Sequence, residues 1–143
     1  MGDTFQLSVL TPLAKAFSGE VVTVTAPGQA GDFGVLPGHV AYITAVAPGA
    51  LVIEEAKGKR VLAVGAGFVQ VAAERVSVIV SSAEEASSLD LGAVQSALAK
   101  AESALLERGP QDSDHHDALM DQAMALGRLR AIDALREAGD TAH

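Results

Sequence analysis

Val61-Leu62-Ala63-Val64-Gly65-Ala66-Gly67-Phe68-Val69-Gln70-Val71-Ala72-Ala73-Glu74-Arg75-Val76-Ser77-Val78-Ile79-Val80 is the stretch that shows most plainly how this chain folds. Three short apolar runs are separated by a glycine turn at residues 65–67 and by Ala73-Glu74. Short runs rich in Val, Ile and Phe between turn signals read as strands. Gly65-Ala66-Gly67 lacks the third glycine of a dinucleotide loop and no helix follows it, so it reads as a hairpin turn. The connections are too short for helical crossovers, which makes antiparallel pairing the expectation.

The same rhythm extends toward the N-terminus. Leu51 and Ile53 lead to a hairpin tip at Lys57-Gly58-Lys59, and the run Val40 to Val46 is closed by Pro48-Gly49. Val22, Val24 and Ala26 alternate with Thr23 and Thr25; Phe5, Leu7 and Val9 alternate with Gln6, Ser8 and Leu10 up to Pro12. Strands at roughly 8–12-residue spacing with Gly/Pro punctuation imply a β-sandwich or barrel. One connection stands out: Gly31-Asp32-Phe33-Gly34-Val35-Leu36-Pro37-Gly38-His39. Its glycines and Pro-Gly pair demand sharp turns, while Phe33, Val35 and Leu36 are too apolar for a plain solvated loop. The expectation is a stiff surface loop pinned by Phe33 and Leu36, with Asp32 and His39 facing outward. Stiff loops on a β scaffold are common partner contacts.

Composition narrows the class. The chain is 49% hydrophobic but only 3% aromatic, so its core must be built from Val, Leu, Ile and Ala. With no Cys, disulfides and thiolate metal sites are excluded. No apolar run approaches the ~18 residues of a membrane span, and the N-terminus lacks a signal-peptide pattern; the expectation is a soluble protein kept inside the cell. The net charge of −8 argues against nucleic-acid binding. That charge is uneven, −1 over residues 1–82 and −7 over 83–143, which marks a boundary near residue 83.

Beyond the boundary the period changes. Residues 83–89 read as a small acidic linker, and Ser87 with Asp90 resembles a capping box. Leu91, Val94, Leu98, Ala101 and Leu105 recur at helical steps until Gly109-Pro110. A second helix follows, capped by Ser113 or Asp114 and running to about Ala138. The short connection makes residues 90–143 an antiparallel helical hairpin. The second helix carries a small-residue face (Met120, Ala123, Met124, Gly127, Ala131, Ala134), with Leu119, Leu126, Leu129 and Ile132 pointing elsewhere. Either it is wedged between its partner helix and the sandwich, or it packs differently in different states.

Candidate chemistry is thin. Asp32 and His39 lack a nucleophile signature and more readily satisfy turn backbone. His115-His116 among Asp112, Asp114 and Asp117 raises the question of metal. Adjacent helical histidines, however, point about 100° apart, and an acidic cap favouring the helix dipole explains the cluster better. There is no Walker lysine pattern. On its chemistry the chain is a binding or structural protein without catalytic residues or a metal site.

Taken together, the loop Gly31 to His39, Pro48-Gly49, the run Gly65-Ala66-Gly67-Phe68-Val69-Gln70-Val71 and the two-helix tail resemble the epsilon subunit of bacterial rotary (F-type) ATP synthase. The similarity spans Leu7 to about Leu135. It implies an antiparallel β-sandwich of about ten strands followed by a two-helix hairpin. It also implies a non-catalytic rotor subunit of the central stalk, peripheral to the cytoplasmic face of the bacterial membrane and not inserted into it. Such a subunit turns with the gamma subunit and the c-ring and couples proton flow to ATP synthesis. Asp32, Gly34, Gly38 and His39 stand where the family docks onto the ring. Many members also inhibit ATP hydrolysis by extending the hairpin into the catalytic alpha/beta hexamer. Arg128, Arg130 and Arg136 could supply contacts there, or could simply pair with Asp121 and Asp133 within the helix.

Some relatives bind ATP through an Ile/Leu-Asp-x-x-Arg-Ala motif aided by arginines of the second helix. Leu89 and Asp90 match, but Ala93 and Val94 replace the Arg-Ala, and Arg130 is kept while Ala134 stands where another arginine would be. Losing cations that contact phosphate weakens binding, so weak or absent ATP binding and no cofactor are expected. The alternative is a free-standing ATP-sensing regulatory module, which calorimetry with MgATP distinguishes.

Overall fold

The computed structural model of the protein describes residues 4–36, 41–107, 109 and 113–141. Ten strands precede two helices: β1 Phe5–Leu10, β2 Lys15–Val21, β3 Thr23–Ala26, β4 Phe33–Val35, β5 Tyr42–Val46, β6 Gly49–Glu55, β7 Gly58–Val64, β8 Gly67–Val71, β9 Arg75–Val80, β10 Ala83–Glu85, α1 Leu91–Glu107 and α2 His115–Thr141. The first sheet has the order β2-β1-β9-β8-β5 and the second β10-β7-β6-β3-β4. The chain crosses between them at Val22, whose N–H donates to the Glu54 carbonyl at 2.7 Å. This is the β-sandwich with a helical hairpin that the alternation predicts.

The sandwich core is aliphatic. Leu7, Val9, Val69, Val71, Val76 and Val78 of the first sheet meet Val24, Val35, Leu51, Ile53, Leu62 and Val64 of the second. Each buried side chain of this size stabilises the fold by about 1.5–3 kcal/mol. At the margin Arg60 stands over the Phe17 ring, 5.2 Å from its centroid, and pairs with Glu85 at 3.1 Å and Glu55 at 3.4 Å. Being partly exposed, these contacts contribute little individually.

Three details differ from the sequence reading. Gly65-Ala66-Gly67, read as a hairpin turn, carries the chain from β7 in the second sheet to β8 in the first, because a short turn can also cross between the layers of a sandwich. Wholly antiparallel sheets were expected, yet β1 pairs with β9 in parallel, with Leu7 opposite Val76 and Val9 opposite Val78. Short connections constrain only strands that follow one another; β1 and β9 are far apart in sequence, so no crossover limit applies to them. The segment 83–89, read as a linker, begins with β10, which pairs with β7 through Ala83 opposite Val64. A 3-10 turn at Ala86–Ser88 follows, with Ala86 buried.

The helices begin and pack as their sequences dictate, with one change. The Gly92 N–H donates to Asp90 Oδ1 at 3.1 Å, so Asp90 is itself the cap of α1 and Ser87 is exposed. Val94 and Ala101 are the buried residues of α1. α1 packs on α2, and α2 packs on the outer faces of β6 and β7. Ala131 and Leu135 there meet Ala50, Val61, Ala63 and Ala86. The wedged arrangement of the second helix is thus the one observed. It also explains why Val61 to Val64 are all buried: β7 is covered by the sandwich on one face and by a helix on the other.

Candidate functional site

The loop before β4 is closed by a reciprocal pair of bonds. The Gly28 N–H donates to the Gly31 carbonyl at 3.1 Å, and the Gly31 N–H donates to the Gly28 carbonyl at 3.2 Å. Gly31 has φ of +125°, which a side chain would strain. Phe33 packs on the sandwich core and anchors the loop, as expected. Leu36 does not; it is 61% exposed. Side chains alternate along a strand, so Phe33 and Val35 turn inward while Asp32, Gly34 and Leu36 face out. The expectation that Leu36 stiffens the loop is therefore corrected, and Leu36 becomes an apolar member of the outward surface. Gly38 and His39 lie outside the described residues.

A second surface went unnoticed in the sequence. Strand register aligns Leu10 with Ile79, Ile79 with Phe68, and Phe68 with Ala45 across β1, β9, β8 and β5. The row lies on the outer face of the first sheet, where no helix packs among the described elements. Phe68 is 40% exposed and neighbouring Ile43 is 64% exposed. A contiguous apolar surface of this kind marks an interaction site more often than scattered exposed residues do. Its signal was present: Leu10 keeps step with the polar Gln6 and Ser8 rather than with the core residues.

The third surface is the seat of the hairpin. Arg128 Nε donates to Glu84 Oε1 at 2.7 Å, tying α2 to β10; its partner is neither Asp121 nor Asp133. Arg130 is exposed and, with Asp32, Pro48 and Leu126, lines an open cleft of about 410 Å³ between α2 and the glycine loop. Arg136 is exposed on α2. The residues matching a nucleotide motif have structural employment: Leu89 packs against the cluster of Ala50, Val61, Ala63, Ala86 and Ala131, and Asp90 caps α1. Gly127, in mid-helix, lies directly on the backbone of Pro48-Gly49. A helical glycine costs about 1 kcal/mol relative to alanine, and here it permits that close approach. No helix among the described residues is long and apolar enough to cross a membrane.

A family model described as "ATP synthase, Delta/Epsilon chain, beta-sandwich domain" matches residues 4–86. The ATP synthase epsilon chain of Desulforapulum autotrophicum is 41% identical, over 96% of this chain and 93% of that one. The epsilon chain of Geobacter sulfurreducens is 34% identical over 99% of each. The chain belongs to the ATP synthase epsilon-chain family. Epsilon chain 2 of Syntrophotalea carbinolica is 38% identical over 91% of this chain and 94% of its own length. The fold is also found in the cryo-EM structure of the Euglena gracilis mitochondrial ATP synthase, with a TM-score of 0.75 at 20% identity, covering 87% of this chain and 78% of that one. The central stalk and c-ring of the Tetrahymena thermophila mitochondrial ATP synthase contains a further likeness, with a TM-score of 0.56 at 14% identity over 92% and 98% of the two chains. An epsilon-chain assignment accounts for both halves of the molecule, the sandwich and the hairpin seated on it.

Proposed function

We propose that this epsilon chain is a non-catalytic central-stalk subunit that links the gamma subunit to the c-ring and so couples proton flow to ATP synthesis and hydrolysis. The observation that carries this reading is the uncovered apolar row Leu10–Ile79–Phe68–Ala45 beside Ile43. Apolar area left open on one sheet while β6 and β7 of the other carry a helix fits a large, permanent partner, and gamma is the partner that the family offers. The glycine loop, with Asp32, Gly34 and Leu36 outward and with Gly38 and His39 following in sequence, is the ring-facing element. Asp32 adds a rim charge, which contributes little by itself; Leu36 supplies apolar contact. The subunit acts as a peripheral component on the cytoplasmic face of the membrane.

The hairpin is the regulatory element. Its seat on the second sheet rests mostly on small residues and the partly exposed Arg128–Glu84 ion pair, a surface that can be vacated more readily than a core of large interlocked side chains. Leaving it, the hairpin would extend along gamma toward the alpha/beta hexamer and restrain hydrolysis, with Arg130 and Arg136 already free of the seat's core. Nucleotide is not required for the folded state in this reading.

The test is co-purification with gamma, followed by reconstitution with the ring. Phe68→Glu is expected to leave the isolated chain folded and to weaken gamma binding at least about 30-fold, the effect of losing one interface hot spot. Wild-type affinity for gamma in that variant would assign the apolar row no part in docking.

A further inference from the structure

The hairpin and the ring-facing loop are not independent parts. A methyl group at Gly127 would sit 2.8 Å from the Gly49 nitrogen and 3.0 Å from the Pro48 carbonyl carbon. Those are backbone atoms and cannot swing aside. Across the same turn, a methyl group at Gly49 would sit 2.7 Å from Pro27 Cβ. The Ala47 N–H donates to the Pro27 carbonyl at 3.0 Å, which ties the turn to the buried Pro27. Gly28 follows directly and opens the loop closed by the Gly28–Gly31 bonds. α2, the turn at 47–49 and the root of the loop therefore form three layers in direct contact. Asp32 and Arg130 face a common cleft beside them.

From this stack we infer that the seated second helix braces the glycine loop, so that the seat of the hairpin and the conformation of residues 28–32 are coupled. Close-packed layers pass displacement on rather than absorbing it, and coupling of this kind is reciprocal. A hairpin that leaves its seat loosens the loop, and a partner that holds the loop favours the seated hairpin. The functional meaning rests on the reading of the loop as ring-facing and the hairpin as regulatory. The coupling itself does not, because both elements belong to the isolated chain.

The test uses the full chain without partners. Helix position is followed by spin labels at Lys57→Cys and Arg136→Cys, the chain having no cysteine of its own. Loop conformation is followed by amide exchange at Gly28 and Gly31. Gly127→Leu is expected to displace the helix and to speed exchange at both loop amides about tenfold, within the ~5–150-fold range of coupled sites. Exchange at Val69 and Val78 in the first sheet should stay unchanged. Ala131→Glu, which unseats the helix without adding a side chain at the Pro48–Gly49 contact, should have the same effect on the loop and covers the case in which Gly127→Leu does not fold. A displaced helix with loop exchange at the parent rate would overturn the inference. So would a Gly127→Leu chain whose helix keeps its seat. Failure to bind the ring, by contrast, would count only against the proposed function.

Discussion

The outer faces of the two sheets of this sandwich are treated in opposite ways. The second sheet presents Ala50, Val52, Val61 and Ala63 and is covered by α2 through Ala131, Ala134 and Leu135. The first presents Ile43, Phe68, Ile79 and Leu10, which are larger, and leaves them open. Small residues let a helix approach the strands closely but give it little interlocking surface. Large residues on a firm sheet offer a pre-organised surface, which lowers the entropy lost on docking. The difference suits a removable part of the same chain on one side and a permanent partner on the other.

The largest effect expected from breaking this comparison comes from placing the same charge on each face. Val61→Glu would bury a carboxylate between β7 and the helix seat, where Val61 is 1% exposed; it should cost roughly 3 kcal/mol or more. Phe68→Glu, on the open face, should cost no more than about 1 kcal/mol in the isolated chain. Urea unfolding of both variants is the measurement, and equal losses would remove the distinction between the faces.

Truncation sharpens the boundary of the covered face. A chain ending at Ser88 keeps β10 and the buried Ala86, whereas one ending at Ser82 strips the edge of β7. The shorter chain is predicted to melt lower by about 4–8 °C for each kcal/mol lost. Superimposable melting curves would mean that β10 and Ala86 contribute nothing to the sandwich.

A smaller change is expected at the ion pair. Arg128→Ala should loosen the seat by about 0.5–1 kcal/mol, because both partners are partly exposed. The exchange Glu84→Arg with Arg128→Glu should recover part of it, and added salt should reduce the difference between parent and variant. Spin-label distances across a salt series provide the readout; a swap no better than Arg128→Ala would show that charge pairing does not hold the helix. The smallest effect is expected from nucleotide. Leu89 and Asp90 are engaged in packing and capping, so titration calorimetry with MgATP should show no binding tighter than about 100 μM. A tighter site would favour the ATP-sensing alternative.

Much of this arrangement can be seen in the residues alone. The alternation of Leu7 and Val9 and the helical stripe through Val94 and Ala101 are local patterns, and each became the expected element. Gly65–Gly67 is a turn, but it passes the chain from one sheet to the other instead of closing a hairpin, because which strands pair is set by the whole sandwich. Leu36 was misread because an apolar residue near a turn looks the same whether it anchors the loop or leaves it; its face is set by the register of β4 with β3. For Arg128 the sequence offered a partner subunit or Asp121 and Asp133 of its own helix, because spacing within a helix is all a sequence displays, while Glu84 reaches it only through the seating of α2.

By itself the sequence determined the kinds of element, their order, the change of period near residue 83 and the family likeness, because each depends on neighbours within a few positions or on a short motif. Tertiary structure alone decided which strand faces are covered. A period of two creates two faces but does not say which of them meets a helix. The row Leu10–Ile79–Phe68–Ala45 exists only because β1 joins β9 in parallel from the far end of the domain. The contact of Gly127 with Pro48-Gly49 likewise arises where distant segments meet at backbone distance, and no local pattern of residues encodes such a meeting.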